Sequence, residues 1–130
     1  MLLGSSSEAI NQPADVAKAV NGNGHGMGVP NAEELVHFTD AVHRLDDSLR
    51  EARDALVLAL GEAGMIDAAI TAAVFRSLNI AADSSGIRVD DAWEGIGASL
   101  AKKTVANKFR TSANSPKVNS IIDSRGKHSR

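Results

Sequence analysis

Three of the four histidines and several paired carboxylates are the residues here whose types and positions could do chemistry. His25 sits in "NGNGHGMGVP", flanked by glycines. A histidine on a mobile loop can serve as a base or a metal ligand, but no second His, Cys or carboxylate stands near it at metal-ligand spacing. His37 and His43 share one helical segment. Six residues at about 100° each put them roughly 120° apart around the axis, so they do not form an i,i+4 metal pair. Asp40 with His43 or Arg44 reads as an exposed pair instead. Glu51 with Asp54, and Asp90 with Asp91, are carboxylate pairs in sequence. Acid–base work needs one member desolvated so that its pKa moves, and these fall on charged or capping positions. "GNGHGMG" is glycine-rich like a phosphate loop, yet it lacks the Lys-Ser/Thr pair and no strand pattern precedes it. The sequence therefore names no catalytic, cofactor-binding or metal-ligating residue, and no cofactor or metal is expected.

The elements that would hold such residues are helical. Ahead of the connector, "MLLGSSSEAI" reads as the end of one helix. Pro13 suits a first helical turn, Ala14–Val20 a short helix, and Gly22 its stop. Residues 21–30 hold four glycines and read as a flexible connector. Asn31 is a candidate N-cap, with Glu33 and Glu34 in the first turn. Leu35, Phe38, Val42 and Leu45 then recur on one helix face. Asp46, Asp47 and Ser48 offer a cap for a second helix faced by Leu49, Ala52, Leu56 and Leu60, ending at Gly61 or Gly64. A third helix spans Ile66 to about Ser84. Ile66, Ile70, Ala73, Val74, Ser77 and Ile80 cover one side, and Phe75, Leu78 and Ala82 another, which predicts a mostly buried central helix. Gly86 is its natural C′ residue. An Asp90 cap opens a weaker helix carrying Trp93, Ile96 and Leu100. No repeat and no alternating strand pattern is present, so the fold class is all-α: a small helical bundle.

Composition sets further limits. Of 130 residues, 43% are hydrophobic and only 3% aromatic, so the core must come from Ala, Leu, Ile and Val. There is no cysteine, which removes disulfides, Cys-ligated zinc and thiol chemistry. No uninterrupted apolar run approaches the roughly 20 residues that cross a bilayer, and the N-terminus lacks a basic signal-peptide region. No membrane partner and a cytoplasmic location are expected. The net charge of −2 hides an asymmetry. Residues 1–101 carry 15 acidic and 6 basic side chains, a balance of −9, whereas 102–130 carry 1 acidic and 8 basic, a balance of +7. We therefore expect a helical domain over 1–101 and a basic, disordered tail over 102–130. Lys102, Lys103, Lys108 and Arg110 offer phosphate contacts and Phe109 a stacking ring, but the acidic body opposes nucleic-acid binding, which is not expected.

"VFRSLNIAADSSGI" resembles the carboxymuconolactone decarboxylase-like and alkylhydroperoxidase-like family. That family's helix reads loosely Phe-Asn-x-x-Asn-Arg-x-Ala-Asp-x-x-Gly-Val/Ile. Phe75, Asn79, Ala82, Asp83, Gly86 and Ile87 stand at the matching positions, with Arg76 in place of the first Asn and Ile80 in place of the Arg. "LREARDALVLALGEAGMIDAAITAAVF" and "NAEELVHFTDAVHRL" resemble the helices before it, so the likeness covers roughly 31–90. It implies an all-α fold, helices that associate into homo-oligomers, and peroxide-reducing antioxidant chemistry. In redox-active members a Cys-x-x-Cys motif with a nearby His does that chemistry, and no position here receives those cysteines. The opening "MLLGSSSEAI" resembles the run that follows the family's catalytic His. The resemblance thus implies the C-terminal half of such a domain, truncated and inactive. Two alternatives stand beside it: a cysteine-free relative with a decarboxylase- or isomerase-like ligand pocket, and a helical interaction module with a basic tail.

Overall fold

Apolar side chains recurring every three to four residues make helices throughout the chain. The computed structural model describes Ala9, Asn11, residues 13–15 and residues 17–127. Among them every regular element is helical, which makes the fold all-α. The helices are α1 (Ala17–Asn21), α2 (Ala32–Arg44), α3 (Ser48–Ser85), α4 (Glu94–Thr104) and α5 (Pro116–Lys127), joined in the C-terminal part by short 3-10 turns. Of the helix end expected in residues 1–10, all but Ala9 lies outside the described residues. The chain divides into two units, residues 1–78 and 79–130, and the boundary falls within α3.

In the first unit, α1 begins later than expected. Pro13 lies in irregular backbone ahead of it rather than in its first turn. The glycine segment after α1 is tied down. Asp15 N–H donates to Met27 O at 2.9 Å, and Lys18 Nζ donates to Gly26 O at 2.9 Å. Met27 is buried. Asn31 precedes α2 in the left-handed region (φ 54°), which turns its side chain away from the capping role. No side-chain bond caps α2.

Phe38 and Ala41 of α2 meet Ala52 and Leu56 of α3 in the core, with Leu35, Val42 and Leu49 packed around them. Leu56 is fully buried. Leu45 does not join this face. It occupies the left-handed C-cap position of α2 and stays 66% exposed.

The chain reverses within α3 at Gly61, whose φ of 75° and ψ of 172° are accessible to glycine and costly for other residues. The second limb returns Met65, Ala68 and Ala69 to the core. Arg76 Nη1 donates to Val42 O at 3.1 Å and fastens this limb to the last turn of α2. The rest of the limb departs from expectation. Ile66, Ile70, Val74, Phe75 and Leu78 are all at least half exposed, and Ala72 is the limb's one buried residue among the described residues. Two short helices cannot surround a helix that is apolar on most of its circumference.

The second unit opens with the end of α3. Ile87 N–H donates to Ala82 O at 3.1 Å, Gly86 N–H donates to Asp83 O at 3.3 Å, and Gly86 has φ 68°. That is the paired bonding of a Schellman stop, as the sequence predicted. Asp90 caps a 3-10 turn, Asp91–Trp93, through its backbone and not its side chain. α4 packs on α5, burying Ala98 and Val118. Ser115 Oγ accepts from Val89 N–H at 3.0 Å. After α4 the described part of the basic segment runs through 3-10 turns at Ala106–Lys108 and Arg110–Asn114 into α5.

Removing the Leu56 side chain would leave a cavity against Phe38 and Ala52. Leu56→Ala is expected to cost about 2–5 kcal/mol of unfolding free energy, read by urea denaturation.

Candidate functional site

Two surfaces on α2 and one on α3 are the candidates. The polar side of α2 lines an open cleft of about 350 Å³ with Glu33, Glu34, His37 and Asp40, closed on one side by Asn23 and Ala55. His37, Glu33 and Asp40 are exposed there. Water reaches these groups, so nothing around the cleft desolvates a base or an acid for proton transfer. On the neighbouring side of the helix, Ala19, Met27, Val29, Ala32, Leu35 and Val36 form an apolar groove of similar size.

The other histidines are engaged separately. His25 Nδ1 lies 2.6 Å from Glu33 Oε1, with both side chains mostly in solvent. Spacing along the chain hides this pair, because the glycine turns bring residues eight apart together. His43 Nδ1 donates to Thr39 O at 2.7 Å, one turn back on its own helix. The expected pairing of Asp40 with His43 or Arg44 does not form. Arg44 Nε instead donates to Asp46 Oδ2 at 2.9 Å. His25, His37 and His43 are not brought together, and among the described residues no cluster of three metal-ligating side chains exists.

The carboxylates act structurally. Asp46 accepts from the Ser48 hydroxyl and, at 3.0 Å, from Ser48 N–H, and so caps the start of α3. These bonds, with Arg44 beside them, hold its carboxyl below the usual range. Asp54 sits beside Arg53 at 3.4 Å, apart from Glu51. Asp91 accepts from Lys117 Nζ at 3.1 Å, which lowers the carboxyl and raises the ammonium from their ordinary values. Lys117 also approaches Glu94 at 3.5 Å. A pair 26 residues apart, linking the turn before α4 to α5, leaves no periodic trace in the sequence. In the same unit, Lys102 and Lys103 edge an open groove with Ala98 and Ile122.

The third surface is α3 itself. Ile66, Ile70, Val74 and Leu78 are 51%, 58%, 50% and 58% exposed. By length and composition alone the merged Ser48–Ser85 element would suffice to cross a membrane, but the reversal at Gly61 divides it into two limbs. Its returning limb carries Glu62, Asp67, Arg76 and Asp83, charges that are expensive in lipid.

No family model, curated protein or solved structure matches the chain.

A group whose folded pKa is lowered stabilises the fold above its unfolded pKa, and the stabilisation is lost as pH falls through the folded value. For Asp46 that loss falls below about pH 4. Asp46→Asn is therefore expected to flatten the acid limb of the stability-versus-pH curve relative to wild type, as read by urea midpoints at successive pH values.

Proposed function

We propose that this chain is a helical association module, built on a frame like that of the carboxymuconolactone decarboxylase-like and alkylhydroperoxidase-like family and without thiol redox chemistry. The observation that carries this reading is the row of large apolar side chains exposed on the returning limb of α3. A soluble chain that leaves such a face to water gains by covering it. Phe75, Asn79, Ala82, Asp83, Gly86 and Ile87 support the family frame, and the stop at Gly86 falls where that pattern has its glycine. The absence of cysteine removes the thiolate that attacks a peroxide and the thiol that resolves the product.

The ligand-pocket alternative rests on the cleft around His37. Its carboxylates and imidazole are solvated, which suits a polar surface better than a site of proton transfer. The second alternative, a helical interaction module with a basic tail, draws its support from the helix face and little from the tail. Asp91 and Glu94 already engage Lys117, and Lys102 and Lys103 stand at the end of α4, where they complement the helix dipole.

Two measurements test the reading. Incubation with an organic hydroperoxide and a dithiol is expected to consume no more peroxide than buffer does, and turnover would overturn the redox-free assignment. Light scattering on a dilution series is expected to give a mass above 13.5 kDa that falls on dilution. A constant monomer mass would overturn the association reading.

A further inference from the structure

Residues 95–122 contain five basic side chains and no acidic one. Lys117 is engaged by Asp91 and Glu94. The other four, Lys102, Lys103, Lys108 and Arg110, are exposed at the end of α4 and in the turns that follow it. Lys102 and Lys103 complement the dipole of α4 and still stand in solvent. Apolar side chains are exposed among these cations. Phe109, between Lys108 and Arg110, is 66% exposed, and Val105 is 38% exposed. Lys102 and Lys103 also edge the groove that Ala98 and Ile122 line. Phenylalanine is among the residue types most often buried, so a ring left in water between two cations matches a surrounding that is both anionic and apolar.

We propose that residues 102–110 form a contact surface for an anionic lipid bilayer, with the basic side chains at the headgroups and Phe109 and Val105 at the acyl boundary. The contact is peripheral, requires no membrane-spanning segment and is independent of the association reading. An anionic leaflet attracts each Lys or Arg close to its surface. The methylene stems of these side chains lie along apolar surface while their charged heads stay in water. An aromatic ring and an aliphatic side chain at the same level add apolar burial. A single-stranded nucleic acid would use the same cations, but it binds through a platform of stacking rings. Phe109 is the one Phe, Trp or Tyr in residues 94–130, and Val105 offers a base no ring. Salt limits the reach of acidic side chains elsewhere in the chain to about 8–10 Å.

Flotation of the full chain with phosphatidylcholine vesicles, with and without phosphatidylserine, tests this. Wild type is expected to bind the phosphatidylserine vesicles at least about tenfold more tightly than phosphatidylcholine alone, and to be released by high salt. Lys108→Gln combined with Arg110→Gln, checked for unchanged helicity by circular dichroism, is expected to weaken that binding at least about tenfold. Phe109→Ser, checked in the same way, is expected to weaken it several-fold and to leave its salt dependence in place. Binding that either variant leaves unchanged would overturn the proposal. Equal flotation with both vesicle types would also overturn it, and would place the lipid contact on an uncharged face such as that of α3. A wild-type chain that floats with neither, whether or not it binds a single-stranded oligonucleotide, would overturn it as well.

Discussion

Burial of the returning limb of α3 is the constraint on which the rest depends. This limb is rich in Ile, Val, Leu and Phe, yet only its Ala- and Met-bearing side reaches the core formed by Phe38, Ala41, Ala52 and Leu56. The larger side chains face water. Exposed isoleucines and leucines each forgo part of the roughly 1.5–3 kcal/mol that full burial would contribute. Small domains have little margin to forgo, since folding nets only about 5–15 kcal/mol. The face that the fold leaves open is therefore also the place where association can add stability.

Much of this frame is legible from local rules. The periodicity of α2 and of the first limb of α3 locates the core residues Phe38, Ala52 and Leu56, and the positions of Gly61 and Gly86 mark a break and a stop. The sequence is misleading where tertiary context decides. An apolar circumference on α3 reads as a buried central helix, but burial depends on how many neighbours exist, and periodicity does not count neighbours. Leu45 fits the α2 stripe by spacing and leaves it because the helix ends there in a left-handed turn. The helix at Pro116–Lys127 is hidden by a polar, basic composition, and its support comes from packing on α4 and from Lys117 reaching Asp91 and Glu94.

The chemistry is less legible than the frame, for a physical reason. Hydrogen bonds and ion pairs form between residues that turns bring together, as with His25 and Glu33. Such pairs have no fixed spacing. Once placed, the titratable groups do structural work in solvent: Asp46 caps α3, and Asp91 with Lys117 joins the turn before α4 to α5. Among the described residues the feature that stands out is an uncovered apolar helix face, and the proposed association rests on it.

Thermal unfolding measured across a hundredfold range of protein concentration tests this account most directly. A ligand that binds only the folded state raises the midpoint with its concentration, and a second copy is such a ligand. The midpoint is expected to rise by several degrees from the dilute to the concentrated end. A sharp midpoint that stays constant over the whole range, in a chain that remains monomeric, would contradict the claim that the α3 face is covered by association.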